Sequence, residues 1–356
     1  MYAVISLRRI APQILMVVTC IIIAGATPLL SAPMCPQPVE LEVIDLINQQ
    51  RLSAGLAPLA AEMRLVEAAV LHSEDMALHN FFDHTGSDGS SPWDRFAKAG
   101  YSMIAGAENI AAGYGTPAAV VTGWMNSSGH RANILNRSVS DIGVGYVFSS
   151  PSPYGSYWTA DFGSSSDVGR ILPDFFDVSP EHWARNFIRI LACHEIAVGC
   201  GNGNFCPEDR VTRAQMAVFL VKSLAVQPSD ICSGNVFGDV NAETVGVDFC
   251  RYIETLAALG ITSGCGNNNY CPGSDVSRAQ MAVFIIRALG ESPSACTGQG
   301  FGDVTAQSVG EGFCGFIEKF ATLGITSGCG SARYCPFDSV TRAQMAVFLL
   351  RAFLAN

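Results

Sequence analysis

The sequence predicts an α+β protein: an N-terminal domain of helices with a small antiparallel sheet, then a mainly helical module of three repeats braced by disulfides. Three observations predict it. The string RAQMAVF occurs three times, at 213–219, 278–284 and 342–348, at intervals of 65 and 64 residues. Cysteines recur at fixed places in those repeats. Upstream, 142–148 and 157–162 alternate in polarity around a Pro/Gly turn, which reads as a hairpin. A chain of 356 residues with 49% hydrophobic and 15% charged residues is suited to packed domains rather than disorder.

The first segment reads as a signal peptide over 1–32. Arg8 and Arg9 precede an apolar run at 14–26 that is short for a membrane span, and Ala24-Gly25-Ala26 offers a cleavage site. An uncleaved anchor is the alternative. No later stretch predicts a transmembrane helix. Removing 1–32 takes the formal charge from −10 to −12, because two arginines and no acid leave with it. So acidic a chain, without a basic run, is a poor nucleic-acid binder, and any anion must be held in local pockets. Of thirteen cysteines Cys20 leaves with the signal, and an even twelve in an exported chain points to disulfides.

The first domain is expected over 36–163. Helices are predicted over 43–52 and 65–78, and another begins at Val120. The 88–93 segment (DGSSPW) reads as a turn into a helix. His72 and His79 read as ordinary surface or packing residues. Residues 164–174, with three serines and Pro173, form the linker.

The repeats are expected over 175–227, 234–290 and 298–356. Each carries F-x-D-V (in a variant setting at Phe176-Asp177-Val178 in the first), an apolar-periodic helix, C-G-x-x-x-[FY]-C-P, and V-[ST]-R-A-Q. Gly260 and Gly324 stop the first helix in copies two and three; Glu195 stands there in copy one, whose stop is expected to differ. Thr212, Ser277 and Thr341, each followed three residues later by Gln, form capping boxes for the second helix. The spacing predicts the pairs Cys200–Cys206, Cys265–Cys271, Cys329–Cys335, Cys232–Cys250 and Cys296–Cys314. Zinc is the rival, against which C-x5-C is an unusual ligand spacing. Cys35 and Cys193 remain to pair or stay free.

This pattern resembles the S-layer homology domain, whose second helix opens on a motif that stands here as VTRAQ, VSRAQ and VTRAQ. The resemblance covers 175–356. It implies anchoring to the cell envelope through a wall polysaccharide held in grooves between repeats, with Arg213, Arg278 and Arg342 as the anion contacts. Each Arg opens a helix, beside N–H groups and the positive end of the helix dipole, a suitable setting for a carboxylate or phosphate. Asp177, Asp239 and Asp303 are read as orienting the arginines or meeting sugar hydroxyls. The plainer alternative is that Arg and Asp only lock the fold.

In the first domain FFDHT (81–85), AENIAAG (107–113), WMNSSGHRANIL (124–135), DIGVG (141–145) and YWTADFG (157–163) follow one another in an order similar to that of the CAP superfamily in its bacterial form. The resemblance implies an α-β-α sandwich whose cleft carries His84, Glu108 and His130; the family's second Glu would fall near Ser127. Two imidazoles and a carboxylate are a chemically reasonable zinc set with an open position, although residues spread over 46 positions match no local metal motif. A hydrogen-bonded polar cluster is the alternative.

No G-x-S-x-G elbow, HExxH or Cys–His pair is visible. The expectation is therefore a secreted, wall-anchored binding protein whose cleft engages a peptide, lipid or wall fragment without turnover. The alternatives are a metal-dependent envelope hydrolase, with water activated at His84 and His130 and Glu108 as base, and a purely structural surface-layer component.

Overall fold

The computed structural model describes residues 34–354; the expected signal peptide lies outside them. The first domain runs α1 (Pro38–Ser53), β1 (Ala60–Ala61), α2 (Met63–His79), α3 (Pro92–Lys98), β2 (Met103–Ala112), α4 (Pro117–Asn126), α5 (Ser128–Ile134), β3 (Asp141–Phe148) and β4 (Ser156–Ser165). The sheet order is β1-β3-β4-β2, with β1 parallel to β3 and the other pairs antiparallel. The hairpin is β3–β4. Strand β2, which sequence reasoning left unassigned, pairs along β4 and carries Glu108.

Period-2 alternation sorts the sheet's two faces. Ile142, Val144, Trp158, Ala160 and Phe162 join residues of α1 and α4 in one apolar cluster. On the other face Tyr157 and Ile110 meet Met76 of α2, and Ser73 donates to Thr159. Helix α2 lies directly on β3: a Cβ on Gly143 would come within 2.0 Å of the Leu65 carbonyl carbon, and one on Gly145 within 2.3 Å of that of Ala69. Only glycine permits that approach.

The second module contains α6 (Arg185–Cys193) and α7 (Arg213–Ser223), then α8 (Ala242–Val245), α9 (Val247–Ala258) and α10 (Arg278–Ala288), then α11 (Ala306–Val309), α12 (Glu311–Thr322) and α13 (Arg342–Leu349), closing in a π-helical turn, Leu350–Leu354. The repeats close into a ring. Val276 N–H donates to the Val211 carbonyl, Val340 to Val276, and Val211 to Val340, each at 2.9 Å. Helix pairs α7 with α9, α10 with α12, and α13 with α6 pack around it over one continuous apolar core.

Two expectations are corrected. The stop of α6 does not differ: Glu195 takes a φ of 57°, beside 72° at Gly260 and 71° at Gly324. Ile196 N–H then returns to the Leu191 carbonyl as Ile261 does to Leu256, so the fold holds a non-glycine residue where L side chains are disfavoured. The first-repeat Phe is also misassigned. Phe175 packs on Phe205 as Phe237 does on Tyr270, while Phe176 is exposed.

The twelve cysteines of the described residues form six disulfides, the five spaced pairs and Cys35–Cys193. The sixth ties the start of the first domain to α6. Around it Arg185 reaches Asp45 of α1 at 3.1 Å, Asn186 reaches Asp45 at 2.9 Å, and Ile190 and Leu350 enter the first domain's apolar cluster.

Two stability changes follow. Gly143→Ala should cost about 1–3 kcal/mol by overpacking, read as a lower urea midpoint. Cys35→Ser with Cys193→Ser, which opens a 158-residue loop, should cost about 2–5 kcal/mol, read by thermal unfolding of the non-reduced protein.

Candidate functional site

In the first domain the predicted residues gather at the open edge of the sheet. Glu108, on β2, is buried. One oxygen is 2.6 Å from His84 Nδ1, and the other accepts from Arg95 of α3 at 2.6 Å. The half-exposed His84 side chain is thereby oriented through its Nδ1. His72, on α2, is fully buried; its Nε2 sits 3.0 Å from the Asp83 carbonyl and its Nδ1 has no partner. Of the two expectations for His72 the packing one holds: it is buried beside this cluster, not at the surface. His130 lies across the edge on α5, where its carbonyl accepts from Asn109, and Asn133 bonds Asn109 and the Glu108 carbonyl.

Asp161 is the residue that sequence reasoning missed most completely. It pairs with Glu108 across the β2–β4 ladder, is fully buried, and neither carboxyl oxygen has a donor in reach. Burial, reinforced by the adjacent Glu108 charge, pushes its carboxyl well above the usual range. A protonated Asp161 can donate to Glu108. Arg95 was missed too. Asp161 becomes visible only once strand pairing is known, and Arg95 only once α3 is placed beside β2.

The charges respond to one another. The hydrogen bond to Glu108 holds His84 above the ordinary imidazole value. Burial pushes Glu108 upward, but the bond from His84 and the charge of Arg95 outweigh it, and the net shift is downward. Burial, then the neighbouring His84, lowers His130. The His84 contribution to stability is complete below pH about 6.5 and is lost as pH rises through the raised value; that of Glu108 is present above pH about 4.5 and is lost as pH falls through its lowered value.

His84, Glu108 and His130 do not fit a three-ligand metal set. Among the described residues, groups of three donors within 4.8 Å of one another occur only beside disulfides, and both Glu108 oxygens are engaged by the protein.

In the ring, Arg213, Arg278 and Arg342 are almost fully buried. Each Nε donates to a carbonyl of the next repeat: Arg213 to Tyr270, Arg278 to Tyr334, Arg342 to Phe205, at 2.7–2.8 Å. Each guanidinium also lies over the ring of that same residue, and burial lowers each pKa. The helix N–H groups beside them are not free for an anion. Those of Arg213 and Ala214 donate to the carbonyls of Ser274 and Pro272, and the other two repeats do likewise. Asp177, Asp239 and Asp303 make no hydrogen bond to the arginines. Each accepts two backbone N–H bonds from the loop that the Arg docks on: Phe205 and Cys206, Tyr270 and Cys271, Tyr334 and Cys335.

Each Arg is left with a buried donor that has no partner. Nη2 of Arg213, Arg278 and Arg342 is buried without a partner. Two of these arginines line grooves between repeats. Arg342 lines a cavity of about 530 Å³ with Gln215, Lys222, Phe249, Arg251 and Tyr252. Arg213 lines one of about 290 Å³ with Gln280, Phe284, Arg287 and Phe313.

Comparison with known proteins agrees with this division. Residues 44–162 match the cysteine-rich secretory protein family (CAP), and residues 174–217 and 245–282 match the S-layer homology domain. The chain carries a CAP domain and S-layer homology domains. It is 44% identical over 132 residues to the uncharacterized protein YkwD of Bacillus subtilis, covering 37% of this chain and 49% of that one. It is 28% identical over 189 residues to S-layer protein EA1 of Bacillus anthracis, covering 52% and 21%. A crystal structure of an extracellular protein containing an SCP domain from Bacillus anthracis aligns at 31% identity over 35% of this chain and 40% of that one, with a TM-score of 0.32. The chain thus spans less than half the length of each. The S-layer homology domains and S-layer relatives make this a secreted protein of the cell surface or wall. No helix among the described residues is long and apolar enough to cross a membrane.

In Glu108→Gln the His84 imidazole should titrate at lower pH than in the parent, and His72→Gln should shift it far less. Nitrogen-detected NMR of the histidine rings reads both.

Proposed function

We propose that the repeat ring anchors the protein to an acidic wall polysaccharide, held in grooves between consecutive repeats, and that it displays the CAP domain as a binding module. The observation that carries this is the unpaired Nη2 on each buried repeat arginine. A buried Nη2 without a partner has already lost its hydration, so a carboxylate reaching it gains a charge-assisted bond at reduced desolvation cost. Lys222 and Arg251 outnumber Asp248 in one groove, and Arg287 offsets Asp275 in the other. This local placement lets a chain of net charge −10 take an anion. The aspartates act at one remove in this reading, by fixing the loop that positions each arginine.

For the CAP cleft the support favours recognition over turnover. Glu108 is held between His84 and Arg95, which leaves no free carboxylate to serve as a base, and the donors do not converge on a metal position. What the cleft offers is His84 Nε2, set on a rigid carboxylate, to a peptide, lipid or wall fragment.

Arg→Ala is a poor test, because it also removes the Nε bond and the ring stacking that join repeats. Arg213→Lys with Arg342→Lys keeps the charge while giving up the planar fork and its Nε bond, so the melting temperature is read beside binding. In the full chain this pair should weaken binding to purified Bacillus sacculi by about tenfold or more. Added salt should weaken the parent as well. Unchanged retention in the double variant, with an unchanged melting temperature, would defeat the groove reading.

A further inference from the structure

The three grooves are built from equivalent positions, yet one differs from the other two in a coordinated way. In the groove floored by Arg342 the first helix of the following repeat presents Phe249, and in the groove floored by Arg213 it presents Phe313. Both rings stand open, 38% and 39% exposed, against the groove cavities that they line. In the third groove, between α13 and α6, the matching residue is Ala184, and it is fully buried. The next lining position is Tyr252 or Phe316 in the open grooves and Phe187 in the third. Phe187 packs against both the ring core and the CAP core. Val347 is buried where Val218 and Val283 are half-buried.

The cause lies on α6. Copies two and three put a cystine sulfur and a buried glutamate on this helix, Cys250 with Glu254 and Cys314 with Glu318. Glu254 and Glu318 accept the N–H groups of 233–234 and 297–298. Copy one has Arg185 and Arg189 at those positions. Arg185 instead reaches Asp45 of the CAP domain and Asp174, and Cys193, one turn on, bonds Cys35. The helix that would wall the third groove is therefore specified as a joint to the CAP domain.

We propose that the protein has two working saccharide grooves rather than three, with Phe249 and Phe313 as the platforms on which a sugar ring of the acidic polysaccharide stacks, the third groove being closed by the CAP joint. This rests on the anchoring reading above. An exposed aromatic face beside a guanidinium suits a ligand with an apolar ring face and a carboxylate edge. It also couples the two domains into one body, so the CAP cleft keeps a fixed direction relative to the anchored face.

The test is calorimetric titration of the full chain with short acidic oligosaccharides released from Bacillus sacculi. Two sites per chain are expected. Phe249→Ala and Phe313→Ala should each leave one site, the double variant none, and Phe337→Ala, an exposed residue that lines neither cavity, should leave two. Because both target rings are over a third exposed, the melting temperature should stay within a few degrees of the parent. Three sites in the parent, or saturable binding retained by the double variant, would overturn this inference and leave anchoring standing. A parent chain that binds neither the oligosaccharides nor intact sacculi would overturn both.

Discussion

The ring of three backbone hydrogen bonds among Val211, Val276 and Val340 is the constraint on which the second module depends. Each valine's N–H needs the carbonyl of the preceding repeat, so no repeat is complete until all three have closed. Closure brings each C-P turn against the N-terminus of the preceding repeat's second helix, and the turn's carbonyls accept the first two N–H groups of that helix. The side chain that opens the helix is then almost fully removed from solvent. It is buried across the joint, with Nε on a carbonyl and its plane on an aromatic ring. Burying an arginine is costly unless its donors are met, and here one is not. The same closure that makes the fold thus leaves a buried polar group without a partner at each joint, and two of these arginines line open grooves.

In the CAP domain the corresponding constraint is the approach of α2 to β3. Gly143 and Gly145 let the helix backbone lie on the strand, which holds His72 over the polar face of the sheet. That face carries Glu108 and Asp161 side by side, two carboxyls that cannot both ionise in a dry setting. Arg95 and His84 supply the positive charge for one of them, and burial with the adjacent Glu108 pushes the Asp161 carboxyl well above its usual range. The result is a rigid polar cluster with one imidazole edge presented to solvent. Its geometry suits recognition, and its internal pairing explains why the donors do not converge as metal ligands.

The joint between the domains is the place where the repeats stop being equivalent. Arg185 and Arg189 replace the residues that staple the other copies internally, and together with Cys193 they serve α1 and the segments before α1 and α6 instead. A helix cannot both wall an open groove and pack into a neighbouring core, because the same face would have to be wet and dry. The repeat that begins the ring has taken the second course.

Much of this was legible in the sequence. Repetition identified the ring's units, capping boxes fixed the start of α7, α10 and α13, and cysteine spacing gave five of the six disulfides, because each of these is a local relation between residues a few positions or one repeat apart. The histidines and Glu108 were found through the order of motifs. What the sequence could not give were the relations between distant segments. Arg213, Arg278 and Arg342 looked like free helix N-termini because the carbonyls that cap them lie one repeat away. Asp161 looked like an ordinary strand residue because its partner is set by the pairing of β2 with β4. Cys35 and Cys193, 158 residues apart, could be joined only once α1 and α6 were seen to touch. Local chemistry determined the parts and their caps; which polar groups end up buried, paired or left without a partner was decided by packing between elements far apart in the chain.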